Sequence, residues 1–191
     1  MLEISGPWIK GRAFDIHTIK SEYLGENKYG HPLYETIRST MGQYLYELKF
    51  KQEFPIIEKI IKLLSENEEF VSFVSGCDVI LPVPPSNKYR RIQPVVLIAQ
   101  EIARLFKKEL RQDVIISSNL EELKNIDINE KQEIIEKSIN IEGQLEKSKK
   151  ILVFDDVFDS GSTLVAISNA LKVKGYIDIS IFTLTKTRIP N

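Results

Sequence analysis

The amino-acid sequence predicts an α/β protein with a mainly parallel sheet flanked by helices. Three observations predict it. Short apolar runs read as strands at 78–83, 113–117, 151–154 and 177–185. Helical periodicities lie before and between them, and strands alternating with helices build parallel sheets through crossover connections. The chain has 191 residues, a length that suits one domain with an appendage and would crowd two.

Residues 1–35 are rich in Gly, Pro, Tyr and His with little period, so they read as loops and short strands around 12–19. They form an irregular amino-terminal hood or extension ahead of an α/β domain at 36–191. From Thr36 the spacing Ile37, Met41, Leu45, Leu48 predicts an amphipathic helix, and Pro55 followed by Ile56, Ile57, Ile60, Leu63 and Leu64 predicts another. The strand at 78–83 is stopped by Pro82, Pro84 and Pro85 and feeds a loop carrying Ser86, Lys88, Arg90 and Arg91. A helix from Pro94 turns Val95, Ile98, Ala99, Ile102, Ala103 and Phe106 inward. Residues 118–150 are polar and charged, and predict a mobile loop with room for one helix. After the strand at 151–154 a helix runs from about Ser162 to Lys174, Gly175 caps it, and 177–185 is the last strand.

Bulk properties exclude several classes. A net charge of -1 argues against a surface built to grip duplex nucleic acid. Cys77 is the single cysteine, so there is no internal disulfide and no thiolate cluster for zinc; it reads as a buried apolar side chain. Residues 1–12 lack the apolar stretch of a signal peptide, and no run approaches the ~20 apolar residues of a membrane span, so a cytoplasmic protein is expected.

The chemistry concentrates at 151–164, where an apolar strand meets two adjacent acids, Asp155 and Asp156, and then a small-residue loop, Asp159, Ser160, Gly161, Ser162 and Thr163, that opens a helix. Unpaired N–H groups of a first helical turn bind phosphate, Gly161 permits close approach, and the hydroxyls add donors. Carboxylates accept hydrogen bonds from vicinal hydroxyls and repel phosphate, so acids followed by such a loop suit a sugar phosphate. The plainer reading makes the acids a strand end and Ser160 an ordinary helix cap.

This run resembles the phosphoribosyl pyrophosphate (PRPP) motif of type I phosphoribosyltransferases. The resemblance implies that fold, with Asp155 and Asp156 on the ribose hydroxyls and the loop from Asp159 to Thr163 on the 5'-phosphate. Asp159 stands where hypoxanthine-guanine enzymes carry an Asp assigned as the base, which hints at a nitrogenous acceptor; an Asp beside a helix start also simply suits the dipole. Over about 36–185 the chain is similar to the ComF-like, competence-associated branch, through Tyr46-Glu-Leu-Lys49-Phe50, Asp78-Val-Ile-Leu-Pro82-Val-Pro84, the basic loop ending at Gln93, and the segment from Lys131 to Gly143. The branch's Arg-Gly-Phe-Asn-Gln is here Arg90-Arg91-Ile92-Gln93, and its amino-terminal zinc-binding cysteines are missing. The resemblance further implies Ser86, Lys88, Arg90 and Arg91 on the pyrophosphate, Mg2+ held mainly by substrate oxygens, catalysis by Asp155, Asp156 and Asp159, and a homodimer.

Other candidates have plain readings beside functional ones. His17, with Trp8, could line an acceptor pocket or be a satisfied structural histidine; His31 is a turn residue. Tyr23, Tyr29, Tyr34, Tyr44 and Tyr46, interleaved with Lys20, Lys28, Arg38 and Lys49, could stack on single-stranded DNA or simply pack. A haloacid-dehalogenase-type phosphatase is excluded because Val157 breaks its Asp-x-Asp, and no P-loop or Gly-x-Ser-x-Gly elbow occurs. The function expected is phosphoribosyl transfer to a nitrogenous base or amine, or else PRPP sensing without turnover.

Overall fold

A computed structural model of the chain describes residues 1–85, 93–118 and 128–187, and only the backbone of 128–132. The described residues form a mixed α/β structure whose central sheet has six strands, in the order β1 (Leu2–Glu3), β2 (Lys10–Ile16), β10 (Ile179–Lys186), β9 (Ile151–Phe158), β5 (Val79–Pro82) and β6 (Glu109–Leu110). Every neighbouring pair is parallel except β1 on β2.

The middle strands are apolar along their length because both of their faces are covered, as parallel sheets require. Side chains alternate across a strand. Ile151 and Val153 of β9, with Ile179 and Ile181 of β10, pack on α6 (Ser162–Val173) through Leu164, Ile167 and Leu171, and on Ile135 of α5 (Ile128–Ser138). Leu152, Phe154, Phe182 and Leu184 face the other way, toward α1 (Thr40–Tyr46), α2 (Ile56–Ser65), α3 (Glu68–Ser75) and α4 (Pro94–Phe106). Those helices offer apolar residues three and four apart, such as Ile56, Ile60 and Leu64, or Ile98, Ile102 and Ala103. No described helix is long and apolar enough to cross a membrane. Cys77 is buried, and burial pushes its thiol up to about 11.

Three expectations from sequence are corrected. Residues 1–35 are not mainly irregular: Lys10–Ile16 lies inside the sheet against β10, and β3 (Thr18–Glu26) pairs with β4 (Pro32–Arg38) as an antiparallel ribbon. Its turn is held by Asn27 Oδ1, which accepts from the N–H groups of Tyr29 and His31. The sheet and the ribbon thus run across the 35/36 division. Second, the helix expected from Thr36 begins at Thr40, because Ser39 caps it by accepting from the Gly42 N–H at 3.0 Å. Ile37 belongs to the ribbon and is exposed. Third, the run at 113–117 is no strand of the main sheet. The chain pairs with β5 for two residues at Glu109–Leu110, turns where Arg111 grips Asp113, and makes a separate two-stranded sheet from β7 (Ile115–Ser117) and β8 (Ile139–Ile141).

Phe182 is the hub of the larger core: its ring lies 4.7 Å from Phe70, 6.1 Å from Phe73 and 6.1 Å from Phe154, centre to centre. Phe182→Ala should cost ~3–5 kcal/mol of unfolding free energy, read from the denaturant midpoint, because so enclosed a site cannot collapse around the loss.

Candidate functional site

Since β2, β10, β9 and β5 are parallel, their carboxyl ends share one edge of the sheet, where such folds open toward ligands. β9 runs on through both acids as far as Phe158, with Asp155 opposite Thr183 of β10. The acids therefore inherit the alternation of the strand. Asp155 continues the row of Val153 toward α6, and Asp156 continues the row of Phe154 toward α1.

Each acid is tied by what that placement offers. Asp155 Oδ1 accepts from the Asp156 N–H at 2.8 Å. Burial first, and the neighbouring Asp156 charge second, push the Asp155 carboxyl up to about 8, against a smaller opposing pull from Lys49. Asp156 Oδ2 takes the Lys49 ammonium at 2.7 Å, an ion pair with both partners largely shielded. Lys49 sits in a one-turn π-helical stretch, Glu47–Lys51, that follows α1. Such stretches re-aim side chains at functional sites.

Further basic groups gather on the same side. His17 follows β2; its Nδ1 lies 3.0 Å from Thr185 Oγ1 and its N–H donates to the Lys186 carbonyl at 2.8 Å. Burial, then the Lys49 and Arg38 charges, hold its imidazole below the ordinary value. Arg38, the last residue of β4, lies over the Tyr46 ring at 4.2 Å, and Tyr46 stands 5.2 Å from the Phe50 ring. Gly42 lets α1 come this close: a Cβ there would fall 2.1 Å from the His17 carbonyl oxygen.

The loop after β9 has the geometry of an anion cradle. Gly161 has φ +77° and a Cβ on it would sit 2.7 Å from the Phe158 ring, so it must be glycine. Trp8 supports Phe158 edge-on at 6.4 Å, beneath the loop, while His17 is at the site edge with the acids. Ser160 and Ser162 hydroxyls lie 3.0 Å apart, the Ser160 hydroxyl accepts a long 3.4 Å bond from the Ser162 N–H, and Gly161 at the N-cap of α6 has no side chain to cap the first turn. Asp159 is exposed, and its Oδ1 accepts from the Thr187 hydroxyl at 2.9 Å. Ser86, Lys88, Arg90 and Arg91 lie outside the described residues; Pro82, where their loop departs, pairs with Phe154 at the same edge.

Sequence reasoning missed Thr185 and Thr187 as parts of this edge, and named Arg38 and Lys49 only among the basic residues interleaved with the tyrosines and, for Lys49, within a resemblance. A lysine between Leu48 and Phe50 at a helix end was the available signal for a cation turned inward. Tyr23 and Tyr34 do meet across the ribbon at 5.6 Å and are exposed, but Lys20 and Lys28 there stand among Glu22, Glu26 and Glu35. Chemically the edge can accept hydrogen bonds from hydroxyls at the acids and donate to an anion at the α6 start.

The Asp155 shift has a consequence for stability. Between an unfolded value near ~3.9 and the folded value, the folded chain keeps a proton that the unfolded chain has released. Its contribution is full below about pH 4 and is lost as pH rises through the folded value, at up to ~1.4 kcal/mol per pH unit. Urea midpoints should thus be lower at pH 8 than at pH 5, and Asp155→Asn should flatten that difference. No family model matches the chain, and no curated protein matches it.

Proposed function

We propose that the chain is a Mg2+-dependent phosphoribosyltransferase of the type I class, similar to the ComF-like branch, that takes PRPP and releases pyrophosphate. One observation carries the reading: two adjacent acids in the carboxyl half of a central strand lead, six residues after Asp156, into the start of α6 through a glycine at φ +77° whose Cβ would meet the Phe158 ring. Asp155 and Asp156 accept from the ribose hydroxyls, and Ser160, Ser162, Thr163 and the backbone at Gly161 hold the 5'-phosphate. The loop bearing Ser86, Lys88, Arg90 and Arg91 is assigned to the pyrophosphate.

The donor set suits a metal carried by the substrate. Among the described residues no group of three or more His, Cys, Asp or Glu is placed to hold an ion, and Asp156 is already neutralised by Lys49. Mg2+ would be held by hydroxyl and pyrophosphate oxygens and waters, with Asp155 and Asp156 fixing the hydroxyls beside it; it would supply charge neutralisation to the departing pyrophosphate. The protein's own work is positioning. A nitrogen lone pair forms the new bond to C1 of the ribose while the C1–oxygen bond breaks and its electron pair leaves on pyrophosphate. An N–H acceptor gives its proton to Asp159, whose carboxylate has one oxygen engaged by Thr187.

Calorimetry of PRPP with Mg2+ should show binding to the wild type and a loss of about tenfold or more in Asp155→Asn/Asp156→Asn, since the charge-assisted contact at Asp156, ~1.5–3 kcal/mol, is removed together with the hydrogen bond at Asp155. Folded wild type that does not bind PRPP overturns the reading. Binding without pyrophosphate release with any base, amine or water would instead make the protein a PRPP sensor.

A further inference from the structure

We infer that the acceptor at this site is a planar acid, a ring bearing a carboxylate, held by Arg38 and Lys49 with its face against Phe50. The inference rests on the phosphoribosyl transfer proposed above and names the class of its second substrate.

Sheet order supplies the direction of approach. β9 carries the acids; β5, from which the pyrophosphate loop departs, lies on one flank of it, and β10 then β2 lie on the other. A nucleophile displacing pyrophosphate enters C1 from the side opposite the leaving group. It therefore comes over the carboxyl ends of β10 and β2. The side chains collected there are His17, Thr185, Asp156, Lys49, Arg38 and Tyr46. Asp159 is tied to the same flank by the Thr187 hydroxyl at 2.9 Å, beside the end of β10, in position to take a proton from the incoming nitrogen.

Around His17 two cations, Lys49 and Arg38, stand against one carboxylate, Asp156, while Asp159 is exposed beyond them at the end of β10. Arg38 enters none of the ion pairs among the described residues, and lies instead on the Tyr46 ring. Lys49 has one carboxylate, that of Asp156, which ribose hydroxyls also approach in the reading above. His17 feels both cations and resists taking a proton of its own. A neutral acceptor would leave this excess uncompensated as water is displaced; an acceptor with one negative charge compensates it. A guanidinium presents paired N–H groups that match a carboxylate.

Shape points to a ring. Arg38 lies over the Tyr46 ring, the Phe50 ring is tilted 36° against Tyr46 at 5.2 Å, and Phe50 is 68% exposed. A flat apolar face there is suited to stacking on an aromatic acceptor, with its acid group toward the cations. The transfer itself is unchanged: nitrogen to C1 bond formed, C1 to oxygen bond broken, electron pair to pyrophosphate, proton to Asp159 when the nitrogen bears one.

The test uses the full chain loaded with Mg-PRPP and matched probes, nicotinate against nicotinamide and anthranilate against aniline, read by calorimetry and by pyrophosphate release. At least one acid should bind or react about tenfold better than its neutral partner, the size of one charge-assisted contact. Arg38→Met should abolish that preference while PRPP affinity stays within twofold, which also reports that the variant folds; Arg38→Lys should restore part of it. Equal or better use of the neutral partners, no binding by either acid to PRPP-loaded protein, or an undiminished preference in Arg38→Met overturns the inference and leaves the transferase reading standing. Failure of PRPP itself to bind removes the transferase reading and this inference together, a result distinguishable because it occurs before any acceptor is added.

Discussion

Two adjacent carboxyls at the end of a strand buried on both faces set the terms for the rest of the structure. Burial first, and the neighbouring Asp156 second, oppose ionisation of Asp155. The chain answers with asymmetry. Asp156 receives Lys49 at 2.7 Å, whereas Asp155 receives a backbone N–H and is held well above the ordinary carboxyl range. To deliver Lys49, the helix Thr40–Tyr46 passes into a π-helical turn, and to bring that helix close enough its Gly42 abuts the His17 carbonyl. An expensive pair of acids thus dictates contacts that reach from residue 17 to residue 187.

The same constraint explains why the edge is chemically capable. Asp155, held well above the ordinary carboxyl range, beside an Asp156 paired with Lys49 offers two unlike hydrogen-bonding partners to neighbouring hydroxyls. Occupying Asp156 with a ligand hydroxyl weakens its hold on Lys49.

Legibility in the sequence followed local periodicity. The strands at 151–154 and 177–185 and the helix from Pro94 were readable because burial on both faces, or on one stripe, leaves an unbroken apolar signature. The run from Asp155 to Thr163 was readable because its chemistry is contiguous. The ribbon Thr18–Glu26 with Pro32–Arg38 was not, since neither of its faces is systematically buried and alternation leaves no mark on exposed strands. Ile37 imitated the helical spacing of Met41 and Leu45, and only the Ser39 cap, a single hydroxyl, separates ribbon from helix. The turn between Leu110 and Ile115 escaped for a similar reason: it depends on Arg111 and Asp113 meeting, a side-chain event with no period.

The site residues missed by sequence were those that arrive from a distance. Arg38 and Lys49, with the already suspected His17, belong to the first 49 residues of the chain and the acids to its last quarter, and what joins them is β2, which pairs with β10 over Lys10 to Ile16. Without β2 the open edge of β10 would present unpaired backbone groups and Thr185 would lose the His17 ring. The amino-terminal segment is therefore a structural member of the sheet first, and through the sheet it becomes a wall of the site. That order of dependence is why an apparently featureless stretch of Gly, Pro and Tyr, through His17, stands beside Asp156 and Lys49.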